Sequence, residues 1–545
     1  MASNSDKRNP IPIVDIFAGP GGLGEGFCAL TDEANEPVFK VALSIEMDYY
    51  AHQTLTLRSF YRQFKHKDVP EEYYNFIRGE ITVKELNKKF PAEARKAKME
   101  AWRAKLGEDY KSVNDKHVDY RISKALGSST NWVLLGGPPC QAYSVVGRSR
   151  RQEKILDEKT DERVGLYKQY LRILAVHNPA VFIMENVKGL LSARTKESPV
   201  FSKIIKDLSN PVSAYLSEFN CNGVELECPG YRIYSLVKEP GDYDNNGNPV
   251  FRHKDFVIQA EDYGIPQTRH RVILLGVRKD ISIEPGILKP SAHVPISSVI
   301  KGLPELRSTL SKTKDSEKAW KNQIRKITRK SILKHIDKDV QHEMIERLYK
   351  LDDLSRDFGG EYIPQRENNV FYQPEWYLDN KLDGVLNHTS RGHMSSDLLR
   401  YFFASCFARV KNRSPKLEDF PKYLLPYHKN IEAGIGEKKF SDRFRVQLWD
   451  DPCKTITSHI SKDGHYYIHP DPLQCRSLTV REAARIQTFP DNYYFCGPRT
   501  SQFIQVGNAV PPMLAYNIAG IVQGLTESID LDQIIIKGKL INQNL

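Results

Sequence analysis

The sequence predicts an α/β fold organised on an open sheet, with its chemistry gathered where strands end. Three observations carry that reading. The apolar run Ile11–Phe17 breaks into Ala18-Gly-Pro-Gly-Gly-Leu-Gly-Glu-Gly26 and then into a helical pattern through Phe27 and Leu30. Strand, glycine turn and helix open a nucleotide-type binding unit, because glycines let the backbone approach a ligand that side chains would block. A second run, Val38–Ile45, ends in Glu46 and Met47, where an acid is placed to accept hydrogen bonds from ribose hydroxyls. Two further runs, Trp132–Leu135 and Val181–Met184, stop at Gly136-Gly-Pro-Pro-Cys140 and at Glu185. Both put a reactive side chain at a strand tip, the edge of an open α/β sheet where ligands bind.

Each element has a local justification. Gly19, Gly21 and Gly24 satisfy G-x-G-x-x-G, a pattern shared by dinucleotide and adenosyl-cofactor enzymes. From about Tyr49 to Thr130 the chain is charged, and Lys84–Lys89 and Ala92–Arg103 read as solvent-washed amphipathic helices. Cys140 stands between rigid prolines and a polar Gln141-Ala-Tyr-Ser144 segment, followed by Gly147-Arg148-Ser-Arg150. As a thiol it is the best nucleophile among side chains, although most free cysteines are small core hydrophobes. Glu185 follows four apolar residues, so desolvation favours its protonated form if it faces a cleft; the alternative is an ionised rim carboxylate. Phe256–Ala260 and Val272–Val277 read as a strand pair, with Arg269 and Arg271 on the same side of the pleat, facing a cleft or salt-bridged at its rim. Between Arg278 and Leu448 the strand–helix alternation is lost, and Lys312–Lys338 is basic with Trp320 inside it. Thr479–Glu482 has the spacing of a capping box, and Met513–Gly524 reads as a last helix.

Composition bounds the class. Lys and Arg outnumber Asp and Glu by 79 to 68 over 545 residues, a net charge of +11, which permits a polyanionic partner. Eight cysteines without a close CxxC pair argue against a disulfide scaffold and a structural metal, so no metal is expected. The polar N-terminus and the absence of a long apolar run make a signal peptide or membrane span unexpected, and a cytoplasmic protein expected.

Asp15-Ile-Phe-Ala-Gly-Pro-Gly-Gly22, Glu46, Gly137-Pro-Pro-Cys-Gln141, Glu185-Asn-Val187, Gln267-x-Arg269-x-Arg271, Arg476-x-Leu-Thr-x-Arg-Glu482 and Gly507-Asn-Ala-Val510 together resemble the DNA cytosine-5 methyltransferases of bacterial restriction-modification systems. The resemblance runs from about residue 11 to 525. It implies a class I S-adenosylmethionine-dependent methyltransferase fold, a mostly parallel seven-stranded sheet with helices on both faces, plus a smaller target-recognition domain. The expected division is 1–277 catalytic, with a helical insert at about 60–128, then 278–500 for target recognition, and 501–545 returning to the catalytic domain.

The implied reaction moves a methyl group from S-adenosyl-L-methionine, leaving S-adenosyl-L-homocysteine, to carbon 5 of a flipped-out cytosine in a specific duplex sequence. Cys140 would add to carbon 6, Glu185 would serve ring N3, Arg271 would hold the base through its carbonyl oxygen, and Arg269 would position the loop and phosphate. Implied for the methyl donor are Phe17, Ala18, Gly19, Gly21, Gly22, Leu23, Glu46, Met47, Pro138, Leu166, Asn508 and Ala509. Glu80 with Ile81 is the choice for the adenine contact after the third strand, with Asp119 as its competitor. Implied for DNA are Gln141, Ser144, Arg148, Arg150, Gln267, Thr455 and Thr457. Expected partners are double-stranded DNA and a cognate restriction endonuclease acting separately on DNA that methylation protects; the enzyme is expected to be a monomer in the cytoplasm, associated with the bacterial nucleoid.

Rival readings fit less of the chain. The tRNA-directed relatives lack a recognition region like the roughly 170 residues between Arg278 and Leu448. A catalytically silent binder has no need of Cys140, Glu185 and Arg271 together, and an NAD-dependent oxidoreductase leaves Pro138-Pro-Cys-Gln141 unexplained. Amino-group methyltransferases put an aromatic residue where Cys140 stands.

Overall fold

Alternate residues of a strand point to opposite faces, and here both faces are buried, which is why the strands read as continuous apolar runs. The computed structural model describes residues 9–65, 68–107, 111–138, 162–193, 199–219, 226–365, 369–426 and 442–543, with backbone alone at 162–165, 218–219, 330–331 and 528–543. Its main sheet contains β1 (Ile11–Ile16), β2 (Phe39–Glu46), β3 (Ala101–Arg103), β4 (Val133–Gly136), β5 (Val181–Val187), β6 (Tyr231–Tyr234), β7 (Val257–Gln259) and β9 (His270–Arg278). The order is β3-β2-β1-β4-β5-β9-β6, with β7 also paired to β9. β1 to β5 are mutually parallel, and β9 runs antiparallel to β5, β6 and β7. This is the expected seven-stranded, mostly parallel class I arrangement, with the short β7 as an eighth strand.

Ile13, Val41, Val133, Ile183 and Ile273 face one layer, and Val14, Leu43, Leu134, Phe182 and Leu274 the other. The first layer holds α1 (Gly22–Cys28), the helix Val480–Ile486 and the long C-terminal helix Pro512–Gln543. A Cβ on Gly26 would lie 2.2 Å from Pro512 O and 2.5 Å from Ala515 Cβ, so only glycine lets α1 and the last helix touch. The capping box at Thr479 is present, with Thr479 and Glu482 each receiving the other's backbone N–H.

The charged stretch after β2 departs from the expected reading in one place. Helix α2 (Tyr49–Tyr61) is followed by α3 (Glu71–Ile77), α4 (Val83–Lys89) and α5 (Pro91–Glu100), but helical structure stops at Glu100. Ala101, Trp102 and Arg103 instead pair with Ser44, Ile45 and Glu46 as the edge strand β3. Ladder hydrogen bonds to β2 override a helical pattern that only local sequence supports. The helices α3 to α5 also brace the second half of the chain: Tyr74 Oη donates to Asp379 Oδ2 at 2.7 Å, and Leu86 and Ala97 share a core with Leu382 and Leu386.

Beyond β9 a second core forms around helices Glu317–Arg325, Lys338–Asp352 and Ser395–Lys411. Trp320, inside the basic stretch, is buried there and its Nε1 donates to Ser308 Oγ at 3.0 Å. The basic residues around it therefore decorate a helix whose apolar stripe is core. Among the described residues no helix is long and apolar enough to cross a membrane.

Candidate active site

The C-terminal ends of β1, β2, β4 and β5 converge on a cavity of about 330 Å³. β1 delivers Phe17 in the left-handed region, at φ 56°, a conformation that costs a non-glycine residue about 1–3 kcal/mol and recurs at binding sites. The turn Ala18–Gly21 then enters α1. Gly21, at φ 97°, caps that helix and shapes the turn without lining the cavity, whereas Phe17, Ala18, Gly19, Gly22 and Leu23 do line it.

β2 delivers Glu46, whose carboxylate accepts the Gly19 N–H at 2.8 Å and the Asp48 N–H at 2.7 Å. Burial raises its pKa against those two bonds. Met47 beside it lines the cavity and is more than half exposed. Asp15, one strand over, is buried at the cavity wall, and neither carboxylate oxygen has a well-formed hydrogen bond among the described residues. Burial pushes its carboxyl up to about 7. A buried acid that accepts no well-formed hydrogen bond among the described residues, with only the Gly24 N–H and the more distant Arg62 acting to hold its charge, marks a place for a cation or donor from outside the chain.

On the other side, β5 delivers Glu185 and Asn186. Arg271 Nε lies 2.9 Å from Glu185 Oε1, and Arg271 Nη1 donates to His270 O at 2.9 Å. Glu185 thus faces the cavity with a guanidinium beside it. A Cβ on Gly137 would lie 3.1 Å from Glu185 Oε2, so the end of β4 passes directly over this carboxylate. Asn186 Nδ2 donates to Pro138 O at 3.4 Å, which ties the two strand tips together. Cys140 follows Pro138 by two positions in the sequence; it lies outside the described residues, as do Gln141, Ser144, Arg148 and Arg150.

Arg269 is buried and, among the described residues, has no carboxylate in ion-pair contact. Its Nη1 donates to Ile456 O at 2.8 Å and Gly507 O at 3.3 Å, and burial, reinforced by Arg271, lowers its pKa to about 9. It thereby joins the start of β9 to the segment after Cys453–Lys454 and to the last turn of the helix Arg499–Asn508. The crossing is tight: a Cβ on Gly507 would lie 2.3 Å from Ser458 N. Asn508, Ala509, Pro138 and Leu166 line the cavity as expected.

A family model described as C-5 cytosine-specific DNA methylase matches residues 90–211 and 250–523. The chain belongs to the C-5 cytosine-specific DNA methylase family. It is 33% identical over 531 residues to the type II methyltransferase M.Bpa9945I of Bacillus paralicheniformis, spanning 94% of this chain and 98% of the relative. It is 25% identical over 536 residues to M.DdeI of Desulfomicrobium norvegicum, spanning 95% and 90%. This C-5 cytosine-specific methylase is accordingly a DNA cytosine-5 methyltransferase.

Some residues chosen from the methylase sequence are not brought to the cavity. Glu80 sits at the surface, 3.2 Å from Arg78, and Ile81 packs with the α3–α5 core. Because the third strand is Ala101–Arg103, the positions after it are Ala104 and Leu106, and these line the cavity instead. Asp119 is held by Arg172 and His177, at 2.7 Å from each. Gln267 is buried, donating to Ile486 O at 3.2 Å and accepting the Ile456 N–H at 3.0 Å. Thr455 Oγ1 donates to Thr268 O at 2.6 Å, and Thr457 Oγ1 meets Tyr467 Oη at 3.0 Å. These three polar side chains are spent on the internal joint between β8 (Gln267–Thr268) and the segment after Cys453–Lys454, with which β8 pairs.

Asp15, Ala104, Leu106, Asn186 and Val187 line the cavity without having been singled out individually. Asp15 carried a signal, an acid inside an apolar run. Ala104 and Leu106 carried none apart from the recognition of β3.

Proposed function

We propose that this DNA cytosine-5 methyltransferase takes its methyl group from S-adenosyl-L-methionine and delivers it to a cytosine extruded from a specific duplex sequence, through a transient bond to Cys140. The observation that carries the proposal is the division of one cavity into two chemistries. Asp15, Glu46 and Phe17 form an acidic and apolar half, and the Glu185–Arg271 pair a polar half at the mouth of β4, which ends four positions before Cys140.

The residues fit the methyl donor. The unpartnered Asp15 carboxylate suits the ammonium of its amino-acid part, Glu46 suits ribose hydroxyls, and Phe17, Leu106 and Leu166 offer apolar surface to the adenine. When bound, the donor supplies a sulfonium methyl group. Cys140 Sγ adds to carbon 6 of the ring as the Glu185 carboxyl gives its proton to N3, where the displaced electron pair collects, and Arg271 donates hydrogen bonds to the ring carbonyl. That raises electron density at carbon 5, which takes the methyl group. Loss of the carbon 5 proton to water restores the double bond and expels the Cys140 thiolate, and the N3 proton returns to Glu185. Flipping the base costs a few kcal/mol of stacking and pairing, and the Gly147–Arg150 stretch suits a loop that closes on its phosphates.

The catalytic part is proposed to be 1–277 with 501–545 returning to it, and target recognition to reside in 278–500. Protection of DNA from a cognate endonuclease and a cytoplasmic, nucleoid-associated monomer complete the proposal; the type II naming of the relatives supports the first of these. Bisulfite sequencing of plasmid DNA from cells expressing the protein tests the reading. One sequence motif with cytosines resistant to conversion is expected, and uniform conversion overturns it.

A further inference from the structure

Arg391 follows the strand Gly384–Thr389, and Arg499 opens the helix Arg499–Asn508. They meet at one corner. Arg499 Nη1 donates to the carbonyl of Ser390 at 2.6 Å, the residue adjoining Arg391, while Arg391 Nη2 donates to Ile460 O at 2.8 Å and Ser461 O at 2.9 Å. Arg391 also lies over the Phe503 ring, 5.3 Å from its centroid. Backbone carbonyls and an aromatic face orient both guanidiniums, yet among the described residues neither forms an ion pair. Arg58, Arg172, Arg307, Arg476 and Arg485, by contrast, each meet a carboxylate. Asp463 and Glu361 act on the corner only from a distance, and burial lowers the pKa of both arginines, with Arg499 adding to the effect on Arg391. The hydroxyl of Ser390, between them in the network, is buried without a hydrogen-bond partner.

The corner is continuous with the cavity. Thr500, Ile504 and Asn508 form an exposed line on the same helix, and Asn508 lines the cavity. Arg499 and Asn508 are the two ends of this ten-residue helix, about 13 Å apart along its axis, which is roughly four base-pair steps of duplex.

We infer that Arg391 and Arg499 seat a backbone phosphate of the DNA strand flanking the target base, an inference that rests on the DNA-methylation reading above. Two oriented guanidiniums without a protein anion match the charge and the fork geometry of a phosphodiester. A phosphate there fixes register on the duplex and carries no sequence information.

The test uses the full-length protein and fluorescence anisotropy with a labelled duplex across a salt series. Arg391→Gln/Arg499→Gln is expected to bind DNA about fivefold to tenfold more weakly near physiological salt and to lower the slope of log K against log salt by about one unit. Arg391→Lys/Arg499→Lys, which keeps the charge, is expected to keep the slope. Methyl-donor affinity is read alongside and is expected to stay at the wild-type value, and Tm is read to show that both variants are folded at the assay temperature. An unchanged slope in the glutamine variant overturns the seat, as does equal weakening of both variants at unchanged slope, which assigns the arginines to packing. Competition by millimolar inorganic phosphate with no slope change in the variants identifies a free-anion site and also overturns it. Should the wild-type protein bind duplex DNA without modifying carbon 5, the methylation reading fails while the slope comparison still decides the seat.

Discussion

The buried charges around the helix Val480–Ile486 and those at the cavity are built to opposite rules. Around the helix Val480–Ile486 the charges close on one another. Arg476 meets both oxygens of Glu482 at 2.7 Å, Arg485 meets Asp491 at 2.6 and 2.9 Å, and Arg481 donates to the carbonyls of Leu386, Pro490 and Tyr493. At the cavity, beside the paired Glu185 and Arg271 and the hydrogen-bonded Glu46, two charges stay open: among the described residues Asp15 accepts no well-formed hydrogen bond, and the Nε of Arg269 is buried without a partner. A buried charge costs several kcal/mol unless its partners are complete. Completeness therefore marks the joint that holds the two halves of the chain, and incompleteness marks where a ligand finishes the work.

The largest effect should come from breaking the closed cluster. Glu482→Gln leaves Arg476 buried without its anion and is expected to cost about 3–5 kcal/mol in chemical denaturation. The Glu482 carboxyl is held well below its ordinary range, burial being outweighed by Arg476 and its hydrogen bonds. Its stabilisation is thus complete above the unfolded-state pKa and is lost as pH falls through the folded one. Loss of less than 1 kcal/mol in Glu482→Gln would contradict the assignment of this cluster as the structural joint.

The open cluster should respond with the opposite sign. With its pKa raised to about 7, Asp15 holds its proton in the folded state where the unfolded chain has lost it. Its burial therefore destabilises the ligand-free protein as pH rises from about 4, and the effect is complete above about 7, at roughly 4 kcal/mol. Asp15→Asn is expected to be the more stable protein at pH 8 and equal to wild type below pH 4, while binding S-adenosylmethionine more weakly by calorimetry. Parallel stability curves for the two proteins would remove Asp15 from this role. The smallest effect belongs to Glu80, more than half exposed beside Arg78, where surface pairs contribute about 0–1 kcal/mol. Glu80→Ala should leave both Tm and methyl-donor affinity within error, and a loss of affinity would restore it to the adenine site.

The same contrast explains what could be read from the sequence. β1, β2, β4, β5 and β9 were legible because burial on both faces writes a continuous apolar run, and Glu46 and Glu185 were legible because each ends one. β3 was not: Ala101, Trp102 and Arg103 make a three-residue strand directly after a helix, and only pairing with Ser44–Glu46 defines it. Missing β3 led to Glu80 in place of Ala104 and Leu106. Gln267, Thr455 and Thr457 have the composition of DNA-facing loop residues; the internal partners of Gln267 and Thr455 lie far away in sequence, at 486 and 268, and Tyr467, which meets Thr457, lies ten positions on. The second core has strands of two to six residues, too short for a period to show.

The account rests on the thiol of Cys140, and methyl transfer by Cys140→Ala measures it most directly. With radiolabelled methyl donor and duplex DNA, and with both ligands shown to bind, the account predicts no incorporation above background. Incorporation at the wild-type rate would contradict it.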